Sequence, residues 1–446
     1  MAPDQGPFSR RFPSSRGENT NTSEDVEKGQ TPSSDESKKT QTTNNGTTVT
    51  WKERITHLTW AWFTFPMSTG GIALLLAQNP HRFPGLTTLG KIVYILDLTI
   101  FLLLTTLIAT RFLLRLHTLV LSLLHPTEAL FFPTFFLAVV IILIGAQSYG
   151  GPATGPWLAE AECVLFWIYC AVTFLVAVGM YWTLFRARPG RLTLQSMTPG
   201  WILPIFPVML CGTYSGAIAP YQSTDHAEAI LIAGLTFQGL GCMVSFMMFA
   251  ILMHRLIQYG LPAPNLRPGL FIAVGPPSFT AVALITITSS FPPDSHYFAT
   301  RPAVLLQTLQ SLADFIAVSL WCLAFWFFCV ALLSNLHGIR KMTFHLIWYA
   351  LIFPNVGFTL ATIQIGRALD SPGILWVTSA MTIVLVVVWL GVMGMHVEAV
   401  VRRRILMPGV DEDKDEYRED DRKHDIPVPP SRPHSPHGGV RRISTR

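Results

Sequence analysis

Few residues in this 446-residue chain can do chemistry, and most of them lie inside or beside long apolar runs. Two arginines stand out by position. Arg82 sits in Asn79-Pro80-His81-Arg82-Phe83-Pro84-Gly85, and Arg367 closes Gln364-Ile365-Gly366-Arg367. A guanidinium is planar and donates hydrogen bonds as a fork, so it suits a carboxylate particularly well. The plainer role for each is contact with lipid headgroups. Ser68, Thr69, Ser278, Thr280 and Gln364 offer neutral polar groups within apolar runs. Asp97 and Asp314 lie inside such runs, and Glu160 and Glu162 open one. Ionisable residues there are candidates for function, including proton transfer; hydrogen bonding between helices is the simpler role. The six cysteines fall in apolar runs without a CxxC or a Cys/His cluster, which marks them as small buried hydrophobes. HExxH, P-loop and nucleophile-elbow motifs are also absent. Neither an enzyme nor a bound cofactor or metal is expected.

The elements that position these residues are membrane spans. The chain is 50% hydrophobic and 13% charged, with mean hydropathy +0.41. A soluble domain carries about 25% charged residues, so this is a polytopic membrane protein. Ten runs are long enough to cross a bilayer: 57–78, 90–112, 128–147, 160–184, 199–219, 227–253, 269–290, 303–333, 345–366 and 374–398. One side collects fourteen cations: Lys52, Arg54, Arg111, Arg115, Arg186, Arg188, Arg191, Arg255, Arg267, Arg340, Lys341 and Arg402 to Arg404. The other side holds Arg82, Lys91, Arg301 and Arg367. That bias, with an even number of spans, puts both termini in the cytoplasm. Residues 1–50 and 406–446 are polar and poor in aliphatic side chains, and are read as disordered cytoplasmic tails. The glycosylation patterns at Asn21 and Asn45 therefore face the wrong compartment. The net charge of +5 is spread over loops and tails and does not indicate nucleic acid.

One element recurs about every seventy residues, the length of a pair of spans. It is a proline, usually behind a phenylalanine: Phe65-Pro66, Phe132-Pro133, Phe206-Pro207, Pro276-Pro277 (aromatic missing) and Phe353-Pro354. Proline breaks the helical hydrogen-bond ladder, and broken helices persist in hydrocarbon only where they are buried or line a wet cavity. The odd-numbered spans carry all five breaks and most of the small and hydroxyl residues. The even-numbered spans read as continuous apolar helix. The expected fold is all-α: five hairpins, odd helices inside and even ones outside, around a central passage.

The stretch His57-Leu58-Thr59-Trp60-Ala61-Trp62-Phe63-Thr64-Phe65-Pro66-Met67-Ser68-Thr69-Gly70-Gly71 resembles the opening helix of the fungal malic acid (C4-dicarboxylate) permeases. They belong to the tellurite-resistance/dicarboxylate transporter family, which includes plant slow anion channels. Gly275-Pro276-Pro277-Ser278-Phe279-Thr280 and Ile352-Phe353-Pro354-Asn355 carry the same resemblance, which extends over residues 51–405. It implies ten helices in quasi-fivefold hairpins, a homotrimer with one pore per protomer, and transport of malate, succinate or fumarate across the plasma membrane. It also implies that Phe353, before the proline of the ninth span, blocks the pore and swings aside. Arg82 and Arg367 would then bind substrate at the extracellular mouth, with Ser68, Thr69, Ser278, Thr280 and Gln364 along the path. Asp97 and Asp314 would be candidates for proton coupling. Sulfite export or chloride and nitrate conduction on the same fold is the alternative.

Overall fold

The computed structural model describes residues 54–186, 193–302 and 304–406. Nearly all of the two expected tails lies outside the described residues, as do Lys52, Arg188 and Arg191 of the charge count. Ten helical spans are long and apolar enough to cross a membrane. They are α1 (Trp60–Gln78), α2 (Leu86–Leu114), α3 (Thr127–Gly150), α4 (Trp157–Phe185), α5 (Pro199–Tyr221), α6 (Thr224–Tyr259), α7 (Pro264–Ser290), α8 (Val304–Lys341), α9 (Leu346–Ala368) and α10 (Pro372–Val401).

The spans sort into two rings. In α1, α3, α5, α7 and α9, 61–94% of the most apolar stretch is buried; in the other five, 17–33%. Each odd span packs on the next in chain order, and α9 returns to α1, closing an inner ring of five. Each even span covers the seam between two inner neighbours: α2 lies over α1 and α3, α4 over α3 and α5, α6 over α5 and α7, α8 over α7 and α9, and α10 over α9 and α1. Apolar side chains on the even spans, such as Leu102, Val178 and Ile383, point outward as a lipid-facing surface requires.

The prolines sit at the joint between two segments of each inner span. In α5 a 3-10 turn over Pro199–Ile205 gives way to an α-helix starting at Phe206. The joints in α7 and α9 fall at Gly275 and Phe353. In α1 the change comes at Thr64, just before Phe65-Pro66; in α3 it is marked by Pro133. Proline is well placed there, because an N–H in the first turn of a helix has no intrahelical partner. The carbonyl four residues before each proline still needs a donor. At three joints the preceding N–H supplies it in 3-10 fashion: Phe132 to Ala129, Phe206 to Leu203 and Gly275 to Ile272.

Arg111, counted among the cations of the basic side, is not a surface charge. It lies in the last turn of α2 and is 2% exposed. The chain turns back through a short helix (His117–Leu124), so that Glu128 at the start of α3 meets it, with Arg111 Nη1 2.6 Å from Glu128 Oε1. Arg111 also donates to the Leu58 carbonyl just before α1. The pair therefore pins three successive elements. Removing one partner strands a buried charge, so Arg111→Ala should cost about 3–5 kcal/mol. The loss would show as a large fall in the melting temperature of the detergent-purified protein. Arg111→Met combined with Glu128→Leu should recover most of it.

Candidate functional site

Three phenyl rings meet inside the inner ring. Phe353 of α9 stacks on Phe279 of α7, with centroids 5.2 Å apart and planes 27° apart. Phe206 of α5 stands edge-on to both, at 5.8 Å from Phe279 and 5.9 Å from Phe353. All three are essentially unexposed. Such pairs contribute roughly 0.5–1.5 kcal/mol beyond their burial. Two glycines make the cluster possible. A Cβ on Gly275 would lie 2.5 Å from the Phe206 ring, and one on Gly357 would lie 2.5 Å from the Phe279 ring. Phe206 and Phe279 thus each rest on bare backbone of the next inner helix.

Phe206 and Phe353 also line a cavity of about 20 Å3 to which all five inner spans contribute, which places it on the ring axis. Its wall is apolar apart from Thr64 and Thr134, and both hydroxyls turn to backbone carbonyls: Thr64 to Ala61, and Thr134 to Phe131 and Trp60. A space of this size holds a single water at most.

The start of α1 and the end of α10 lie on one face of the ring, where Arg54 Nη2 reaches the Val400 carbonyl at 3.4 Å. Arg82 and Arg367 lie on the opposite face, and both are exposed. Arg82 donates to the Ala77 carbonyl (2.8 Å) and to Thr87 Oγ1 (3.0 Å). Arg367 donates to Gln78 Oε1 (3.0 Å) and to the Gln78 carbonyl (2.8 Å). Two guanidinium groups therefore cap the C-terminal end of α1, where helix carbonyls lack partners and the dipole favours cations. Each uses two of its five N–H donors, leaving the rest free for an anion. The segment carrying Arg82 is held in shape. Gly85 takes φ 98°, His81 stacks on Trp376 at 3.8 Å and its Nδ1 lies 2.8 Å from Ser379 Oγ, which in turn donates to Asn79 Oδ1.

The neutral groups singled out in the sequence fall elsewhere. Ser68 donates to the Tyr349 carbonyl across the α1–α9 contact, and Thr69 accepts Trp389 Nε1 from α10. Ser278 bonds its own helix at Val274, and Thr280 bonds Pro276 while accepting Gln238 Nε2 from α6. Ser68, Thr69 and Thr280 thus link neighbouring helices, and Ser278 serves its own. Gln364 is half-buried one turn before Arg367. Asp97 is fully buried on α2, whereas Asp314 is half-buried on α8. Glu160 is exposed, and Glu162 is buried with the Tyr214 hydroxyl donating to its carboxylate.

Phe279 escaped sequence reasoning because it does not precede a proline. It follows Pro277 by two residues, and it supplies the ring that the fourth aromatic-proline element lacks. Conversely Phe65 turns outward onto Tyr349 and His396, and Phe132 onto Trp60. The five elements share a backbone role, but only α5 and α9 aim their aromatic inward.

Two rings of helices around an axial constriction, with paired arginines at one mouth, define a multi-pass membrane transport protein. The chain belongs to the SLAC1 family, described as voltage-dependent anion channel, whose profile matches residues 57–397. It is 36% identical over 373 residues to the malic acid transport protein of Schizosaccharomyces pombe, covering 82% of this chain and 83% of that one. A putative malic acid transport protein of the same yeast is 34% identical over 81% of this chain and 84% of its own length. The sulfite efflux pump SSU1 of Arthroderma benhamiae is 26% identical over 75% of this chain and 89% of that protein.

The aromatic cluster yields a test of its own. Gly357→Ala should destabilise the protein by about 1–3 kcal/mol through overpacking against Phe279. Adding Phe279→Leu should return part of the lost melting temperature.

Proposed function

We propose that the protein carries C4-dicarboxylates such as malate, succinate and fumarate across the plasma membrane, both termini being cytoplasmic. The observation that carries this reading is the likeness to the malic acid transport protein over more than four fifths of both chains. The arginine pair supports it. A dianion leaving water for a narrow apolar passage needs charge compensation, and two guanidinium groups with spare donors offer one fork per carboxylate. Arg82 and Arg367 are the substrate-binding residues of the outer mouth, with Gln364 beneath them. Phe353 is the gate. Its ring borders the axial cavity and swings aside for the anion, breaking its contacts with Phe206 and Phe279. The working assembly is a homotrimer with one passage per protomer. Sulfite export is the second reading, favoured by the 26% identity to the sulfite efflux pump.

Labelled malate flux into vesicles holding the purified protein, with sulfite, chloride and nitrate as competitors, decides between the two. Malate flux that unlabelled succinate and fumarate suppress is expected; sulfite or chloride flux without malate flux would sink the first reading. Phe353→Ala should raise anion leak, and leak equal to wild type would reduce Phe353 to packing. Arg82→Ala should weaken dicarboxylate transport more than monovalent transport, since it removes one of two forks. Equal losses would leave it only the helix-capping role.

A further inference from the structure

Asp97 stands apart from every other carboxyl group in the described residues. It is fully buried near the middle of α2, and neither carboxylate oxygen accepts a hydrogen bond of normal geometry. Its carboxylate faces the backbone of Gly70 on α1 so closely that a Cβ there would lie 2.5 Å from Oδ2 and 2.7 Å from Ile141 of α3. Tyr94 comes from its own helix, but its hydroxyl is committed to the Ile142 carbonyl. Tyr149 of α3 stacks on Tyr94, and its hydroxyl is committed to the Ala73 carbonyl. Beyond Tyr94 lies Glu162 of α4, itself bonded to Tyr214 of α5, and beyond Tyr149 lies Arg82. No cation acts on Asp97 from any of these helices, and the one polar group set against it is the Gly70 backbone. A charge so placed is costly in hydrocarbon. The one partner it can take without rebuilding the seam is a proton.

We infer that Asp97 is a proton-binding site coupling anion movement to a proton gradient, and that it acts on the passage through α1. The inference rests on the reading of the protein as an organic-anion transporter. One proton joins a carboxylate oxygen and later leaves it; no other bond changes. Neutral, the carboxyl tolerates the tight approach of α1 at Gly70. Ionised, it demands water or a donor, and α1 has to yield. Gly71, the next residue, lies where a Cβ would meet Val356 of α9 at 3.1 Å, one turn beyond Phe353. A shift of α1 at Gly70 is therefore felt on the helix that carries the aromatic constriction. Asp314, half-buried on α8, and Glu160, exposed on α4, have no such link.

The test uses the full chain in vesicles, with two flux measurements. Malate–malate exchange without a pH gradient reads transport alone. Accumulation under an imposed gradient of about one pH unit reads coupling, and one proton per malate can drive at most about tenfold accumulation. Wild type should do both; Asp97→Asn should keep exchange and lose accumulation. Accumulation surviving in Asp97→Asn overturns the inference, as does wild-type exchange without accumulation, which leaves the transport reading intact. Absent exchange in wild type would instead defeat that reading. Infrared spectroscopy of the purified protein gives a readout independent of transport. As pH is lowered, wild type should gain the carbonyl stretch of a carboxylic acid without hydrogen bonds, and Asp97→Asn should lack it. A band that never appears in wild type, or that persists in the variant, also overturns the inference.

Discussion

Hydrocarbon offers no hydrogen-bond partner, so every backbone group freed inside the bilayer has to be satisfied by the protein itself. The architecture depends on that constraint. All five inner spans are broken at a proline, and each break survives because the chain tightens into a 3-10 turn or lends a side chain. The preceding N–H serves Leu203 in α5 and Ile272 in α7. Asn355 Nδ2 reaches the Leu351 carbonyl in α9 at 2.8 Å. The outer helices complete the arrangement by keeping lipid away from the joints. Their outward sides are mostly apolar because their task is cover, which leaves the inner ring free to carry irregular backbone.

The same constraint explains how much could be read from the chain alone. Ten spans, their alternation and the inner placement of the odd ones follow from hydropathy and the spacing of prolines, since both express the cost of exposing polar backbone to lipid. Side-chain direction does not follow from them. Ser68 and Thr69 are polar and sit on an inner helix, yet the turn of α1 points them at α9 and α10. Arg111 belongs by composition to the basic face, and only the reversal of the chain after Leu114 brings Glu128 beneath it. Asp97 lies on an outer helix, where period alone cannot tell a lipid-facing side chain from one facing α1.

At the constriction, shape is set by what is missing as much as by what is present. Phe206 and Phe279 occupy volume that Gly275 and Gly357 leave open, so ring and gap come from different helices and must match across each seam. The mouth has a similar economy. Arg82 and Arg367 bond the end of α1 and remain exposed, so a single pair of side chains finishes a helix and leaves positive charge on that face.

The inner ring closes between its first and last members, and that seam has a history the others lack. Four of its seams bring together inner helices separated by a single outer helix. The fifth joins segments made at opposite ends of the transport domain. Ser68 meets Tyr349 across 281 residues, Gln78 meets Arg367 across 289 and Arg54 meets Val400 across 346. Contacts of such long range form late, after the loop they close has been synthesised. Until α9 and α10 emerge from the ribosome, the flanks of α1 and α7 that they cover are open to the bilayer. The nascent protein is thus an unfinished arc that becomes a closed ring only with its last hairpin.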